Sequence, residues 1–222
     1  SRSRRQRQMC IRDRLNSLAD EAGANKINKN LLQTPISDVP ESGNLDASNL
    51  GLLIANLMPE NSIVSDEAAT SSFLVTPQAL KAKPHDWLCL TGGSIGQGLP
   101  LAVGAAIAKP DRPVITLHGD GGAMYTVQAL WTQARENLNI TNIIFANHSY
   151  EILKIELSRV GAVKTGQRAD SMFSLDNPKL DWIKLSQSMG VPCYEPKTVE
   201  DFIKNFSSCV HEDGPSTILI QI

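Results

Sequence analysis

Six short runs rich in apolar and β-branched residues recur along this chain, and a stretch of helical periodicity separates most of them from the next. The runs are SIVSDE from Ser62, a stretch near Trp87 to Leu90, PVITLH from Pro113, TNIIFA from Thr141, VPCYEP from Val191 and STILIQI from Ser216. Between and around them lie helical patterns: about Asp46 to Leu57, LPLAVGAAIA, MYTVQALWTQARENL, YEILKIEL, LDWIKLSQSMG and TVEDFIKNFSSCVHEDG. Parallel strands need a crossover of a dozen or more residues, usually a helix, and helices so placed cover both faces of the sheet. The spacing therefore predicts an α/β fold, a three-layer α/β/α doubly wound parallel sheet. In such sheets ligands lie beyond the carboxyl ends of the strands. That singles out the loops after SIVS, LCL, PVITLH and TNIIFA.

The loop after PVITLH reads Gly119-Asp120-Gly121-Gly122-Ala123 and leads into a helix, so bare backbone amides and the helix dipole converge there. Glycine at 119, 121 and 122 removes side chains that would hold a diphosphate away, and permits the positive dihedrals of an anion nest. Asp120 would repel a diphosphate unless a hard divalent cation, most naturally magnesium, lay between them. Such an ion takes further oxygen donors, and Asn147 follows TNIIFA directly, one helix and one strand later in the chain. Taken singly, a GDG tripeptide and an Asn after a strand are common turn elements. Their placement at the ends of neighbouring strands, with the glycine-rich loop GGSIGQGLP upstream, favours a ligand site.

Composition narrows the alternatives. At 222 residues and 41% hydrophobic the chain can bury a full core, and no apolar run approaches the roughly 18 residues of a membrane span. Residues 1–14 hold six of the 21 Lys and Arg but one of the 23 Asp and Glu, which leaves fifteen cations against twenty-two anions in the body. An acidic body argues against nucleic acid as a partner. Residues 1–14 read as a non-native or disordered arm rather than a nucleic-acid tail or a transit peptide. The polar stretch 15–44, with Pro35, Pro40 and Gly43, reads as a linker from an upstream domain, and the folded domain as residues 45–222. Cys10, Cys89, Cys193 and Cys209 form no CxxC pair, and His85, His118, His148 and His211 show no zinc spacing with them. A disulfide framework or structural zinc is therefore not expected, and a reducing cytoplasm fits.

Taken together, GDGGAMYTVQALWTQARENLNITNIIFAN and the preceding GGSIGQGLPLAVGAAIA resemble the diphosphate-binding domain of thiamine-diphosphate-dependent enzymes, in particular the acetolactate synthase and benzoylformate decarboxylase group. The resemblance spans roughly residues 45–222. It implies thiamine diphosphate and Mg as cofactors, with Asp120, Asn147 and the backbone carbonyl of Ser149 as metal ligands. The family usually carries Asn-Asn at the second motif; here the first position is Ala146, and the ligand position is kept. The resemblance further implies diphosphate contacts at Gly119, Gly121, Gly122 and Ala123, and a hydroxyl contact from Thr70, which alone would read equally well as a helix cap. It gives Gly93 a carbonyl that accepts the cofactor's amino group and Ile95 the role of an apolar wedge that bends the cofactor. From residue type alone Ile95 would be ordinary core. Pyruvate decarboxylases carry a glutamate where this chain has Leu153, which points to the synthase or benzoylformate branch, although Ile152 and Leu153 could be packing residues. His148 reads as a partly exposed loop residue with no catalytic role.

The resemblance implies a fragment of a lyase or transferase acting on 2-oxo acids, acetolactate synthase-like, with a benzoylformate-type decarboxylase as the alternative. The full-length protein would be a homodimer or homotetramer whose activating glutamate lies in a missing pyrimidine-binding domain, so the fragment alone is expected to be inert. A nicotinamide oxidoreductase is disfavoured because neither glycine-rich loop completes G-x-G-x-x-G. A non-catalytic binding or regulatory domain of the same fold is disfavoured by Asp120 and Asn147 together.

Overall fold

A computed structural model describes residues 4–23, 36–162 and 166–222. The chain divides into two units between Pro35 and Ile36. The first contains one described helix, α1 (Arg4–Glu21). It runs across the boundary between the expected arm and the expected linker, because Arg, Gln, Leu and Ala are good helix formers even without an apolar stripe.

The second unit begins before the expected start at residue 45. Ile36, Val39 and Leu45 pack against the main core, Gly43 accepts a hydrogen bond from the Val199 N–H at 2.9 Å, and Asn44 bridges Thr198. The segment's polar composition hides the two apolar residues, Ile36 and Val39, that anchor it.

The sheet has six strands, all parallel: β1 (Ile63–Glu67), β2 (Asp86–Cys89), β3 (Val114–Gly119), β4 (Ile140–Ala146), β5 (Cys193–Tyr194) and β6 (Ser216–Gln221). Their spatial order is β2-β1-β3-β4-β6-β5. The chain builds outward from β1 to β2 and then crosses back to β3, so the order reverses between β1 and β3. A crevice opens at such a switch point.

Alternation along each central strand divides the core into two layers. Ile115 and Leu117 of β3, Ile143 and Phe145 of β4, and Ile218 and Ile220 of β6 face a cluster shared with α2 (Ala47–Leu57), α3 (Ser72–Ala79) and α10 (Val199–Cys209). Asp46 caps α2, accepting from the N–H groups of Ser48 and Asn49 at 2.8 and 3.1 Å. On the opposite face, Val114, Ile140, Ile144 and Leu219 meet α4 (Gly98–Ala108), α6 (Ala129–Arg135) and α9 (Trp182–Ser188).

This second face also buries polar groups, and Thr116, Gln133 and Asn142 pair with one another. Thr116 donates to Asn142 Oδ1 at 3.0 Å, while Asn142 Nδ2 donates to Gln133 Oε1 at 2.8 Å and to the Ser216 carbonyl at 2.9 Å. Fully satisfied buried networks of this kind specify register as well as stability.

The expected continuous helix from Met124 to Leu138 is broken. Asp120–Ala123 forms the short α5, a turn follows, and α6 begins only at Ala129. Thr126 and Val127 are weak helix formers. The Thr126 hydroxyl donates instead to the Gly96 carbonyl at 2.6 Å. The turn brings Tyr125 to the wall of the crevice. The remaining helices are α7 (Glu151–Arg159), which buries none of its side chains, and the short α8 (Gln167–Ser171). Among the described residues no helix is long and apolar enough to cross a membrane.

Candidate functional site

A cavity of about 300 Å³ opens at the carboxyl ends of β1, β3 and β4. Its wall includes Thr70, Gly93, Ile95, Gly119, Asp120, Gly121, Gly122, Asn147 and Ser149, nine of the residues expected from the sequence, drawn from four separate loops. Ala123, the tenth, lies beneath: its side chain is fully buried among Leu99, Leu130 and Ile144.

The floor is the turn from β3 into α5. Gly119 leaves the strand extended, with φ −73° and ψ 146°, and Asp120 opens the helical turn. The positive dihedrals expected at Gly119, Gly121 and Gly122 are absent; the N–H groups here are arranged by a helical turn instead of a nest. Positive φ occurs in the other glycine loop, at Gly92, Gly93 and Gly96. Glycine at 121 is required for a different reason, close approach, since a Cβ there would stand 2.6 Å from the Tyr150 ring.

Asp120 is 1% exposed. Its Oδ1 accepts from the Gly121 N–H and its Oδ2 from the His148 N–H, each at 2.9 Å. Burial pushes the carboxyl above its ordinary value, and these two N–H groups only partly offset that. A buried carboxylate so poorly compensated, with a spare lone pair on each oxygen, suits a hard cation.

The neighbouring donors are hard oxygens too. Asn147 Oδ1 accepts from the Ser149 N–H at 3.0 Å, which fixes the side chain to its own loop. Among the described residues no three His, Cys, Asp or Glu side chains converge as a metal cluster, so an ion here would depend on one carboxylate with amide and carbonyl oxygens. The donor set fits magnesium and a diphosphate.

His148 is more constrained than a loose loop residue. It sits at φ 53°, its Nε2 lies 2.8 Å from Gln221 Oε1, and its side chain is 14% exposed. Both its backbone N–H, at 2.9 Å, and its Nδ1, at 3.9 Å, reach Asp120 Oδ2 on the floor.

The opposite wall comes from the loop after β2. The Gly93 carbonyl accepts from the Ile95 N–H at 3.0 Å and keeps a second lone pair for another donor. Ile95 is 48% exposed, so it is cleft wall and not core. Thr70 follows the positive-φ residue Ala69 in a 3₁₀ turn, Ala69–Ser71, and that turn places it in the cleft wall. Tyr150, Ile152 and Leu153 of the β4–α7 segment complete the wall, together with Leu90 and Tyr125.

By the resemblance, Glu67 belongs to a strand-end loop facing the diphosphate end, too far from the pyrimidine to activate it, and the sequence gives it no site role. Glu67 at the end of β1 is 6% exposed and lines the cavity, paired with the fully buried His118. In the run Asp66-Glu67 nothing local marks one acid over the other, and the partners of Glu67 lie about 30 and 50 positions away, so only the register of β1 with β3 reveals the pair.

Comparison with known proteins agrees with this geometry. Residues 70–220 match the family model "Thiamine pyrophosphate enzyme, C-terminal TPP binding domain". The Mycobacterium tuberculosis protein named "Putative acetolactate synthase large subunit IlvX" is 42% identical over 212 residues, covering 93% of this chain and 40% of that protein. Benzoylformate decarboxylase of Pseudomonas aeruginosa is 28% identical over 191 residues, 86% of this chain and 34% of that one. The solved 4-hydroxybenzoylformate decarboxylase of Rhodococcus jostii superposes with a TM-score of 0.68 at 28% identity, again over 86% of this chain and 34% of that one. The chain thus spans between 34% and 40% of the length of these relatives. Switch-point cleft, glycine floor, buried aspartate and family match converge on one assignment: the chain belongs to the thiamine pyrophosphate enzyme family and carries its C-terminal cofactor-binding domain.

Proposed function

We propose that the cleft holds thiamine diphosphate with a magnesium ion, and that the protein of which this domain is part acts on 2-oxo acids as an acetolactate synthase-like enzyme. The observation that carries the reading is Asp120, a buried carboxylate on a floor of three glycines, held by only two N–H groups. Asp120, Asn147 Oδ1 and the Ser149 carbonyl would hold the metal, and Gly119, Gly121, Gly122 and Thr70 would border the diphosphate. The Gly93 carbonyl and Ile95 would meet the ring end. When bound, thiamine diphosphate supplies the electron sink for decarboxylation of a 2-oxo acid. The residues of this chain bind and orient it, and the apolar wall of Leu90, Ile152 and Leu153 keeps water from one side of the cleft.

The acetolactate branch is favoured by the 42% identity to the IlvX protein, and the apolar Leu153 on the cleft wall is compatible with it. A second reading, a benzoylformate-type decarboxylase, is favoured by likeness to two aromatic 2-oxo-acid decarboxylases. Under either reading the full-length enzyme is a homodimer or homotetramer whose activating glutamate comes from another domain. Free thiols at Cys89, Cys193 and Cys209 support a cytoplasmic setting.

Product analysis of the full-length enzyme with pyruvate and with benzoylformate tests the choice. Acetolactate from pyruvate supports the first reading; benzaldehyde with no acetolactate replaces it with the second. Turnover of neither, with cofactor demonstrably bound, would reduce the domain to a non-catalytic binder.

A further inference from the structure

Two loops wall the cleft from opposite sides, and one buried side chain ties them together. The Glu67 carboxylate accepts from the Gly96 N–H through Oε1 and from the Gly98 N–H through Oε2, the latter at 2.5 Å. Its Oε2 also lies 3.1 Å from His118 Nε2. His118 immediately precedes Gly119, and a Cβ at Gly122 would stand 3.3 Å from Glu67 Oε1. The carboxylate therefore touches the β2–α4 loop on one side and borders the Gly119–Gly122 floor on the other.

The carbonyls of the same two glycines are held from other elements. Thr126 donates to Gly96 O at 2.6 Å, and Ser65 donates to Gly98 O at 2.9 Å. Gly96 has φ 88°, a conformation in which glycine alone is unstrained, so this backbone has few alternatives. Ile95, directly before it, is half-exposed in the cleft wall, so packing fixes it only in part. What sets its place is the pinned residue that follows.

A buried carboxylate is costly unless it is fully hydrogen-bonded. Burial alone would push the Glu67 carboxyl up; His118 and the two N–H groups hold it below its ordinary value. The acid is kept charged at the bottom of a cleft that takes an anion, and an apolar residue in its place would leave the Gly96 and Gly98 N–H groups without their acceptor.

We propose that Glu67 is a positioning residue: by clamping the Gly96 and Gly98 amides against the strand that carries the floor loop, it fixes Gly93 and Ile95 relative to the diphosphate-binding floor. This deepens the functional reading above and rests on it. Glu67 is assigned no contact with cofactor or substrate.

The test compares wild type with Glu67→Gln, which preserves shape but turns one accepting oxygen into a donor facing an N–H. In the ligand-free 222-residue chain, hydrogen exchange in peptides covering residues 92–98 should accelerate roughly tenfold, the effect of losing one charged hydrogen bond, while β3 and β4 keep their protection. Calorimetry then uses two probes with magnesium present. Affinity for thiamine diphosphate, which needs both walls, should fall roughly tenfold, and affinity for inorganic diphosphate, which needs only the floor, should not change. Thr126→Val, which frees the Gly96 carbonyl from the other side, should give the same split if Glu67→Gln fails to fold. Unchanged exchange at 92–98, or an equal loss for both probes, overturns the proposal while leaving the functional reading intact. A wild-type chain that binds neither probe overturns the functional reading and this one with it.

Discussion

Ile95 behaves unlike the core residue its side chain suggests. With half its surface in the cleft, truncation removes little buried area, so Ile95→Ala should shift unfolding free energy by no more than about 0.5 kcal/mol in urea denaturation. In the full-length enzyme the same variant should slow cofactor activation more than it weakens cofactor binding, which rests mainly on the diphosphate. A loss in the roughly 2–5 kcal/mol range of a core truncation would return Ile95 to a packing role. Thiols make a second residue-scale case. Burial, with Glu195 nearby, pushes the Cys193 thiol up to about 12, so it stays protonated and unreactive throughout neutral and mildly alkaline pH. Cys89 is exposed. Iodoacetamide at mildly alkaline pH should therefore label Cys89 well ahead of Cys193 in peptide mass mapping, and equal labelling would show that the β5 edge opens readily.

Among the elements, strands were the most legible, because parallel strands buried on both faces must be written as near-continuous apolar runs. PVITLH and TNIIFA became β3 and β4 within a residue at each end. Helices followed their periodicity where one face meets the sheet. α10 is the clearest case, with Val199, Phe202, Phe206 and Cys209 buried along one stripe and Phe202 stacked on Phe206 at 5.6 Å between ring centroids. Phe202→Ala should destabilise the domain by about 3–5 kcal/mol in denaturant titration. A cost under about 1 kcal/mol would mean that α10 is not integral to the core. The interruption between α5 and α6 was not legible, because the residue that answers Thr126 is Gly96, thirty positions upstream and on another loop. Local propensity makes such a helix marginal; a distant carbonyl decides it.

At the scale of the whole molecule, topology does the assembling. Reversal of strand order between β1 and β3 opens the crevice, and the parallel register delivers the ends of β1, β3 and β4 to the same edge. Asp120 and Asn147 could be placed together from sequence because one helix and one strand separate them. Glu67 could not, since its meaning depends on amides and an imidazole brought in by two other segments. Ahead of the expected boundary at residue 45, Ile36 and Val39 dock a polar-looking segment onto the core, an attachment that composition does not reveal. A buried aspartate on a bare glycine floor is expected to take a diphosphate only through a hard cation. Calorimetric titration of the chain with thiamine diphosphate, in magnesium and then in excess chelator, tests it most directly. Binding should saturate with magnesium, disappear in chelator and weaken in Asp120→Asn; equal affinity in magnesium and in chelator would sink the metal assignment.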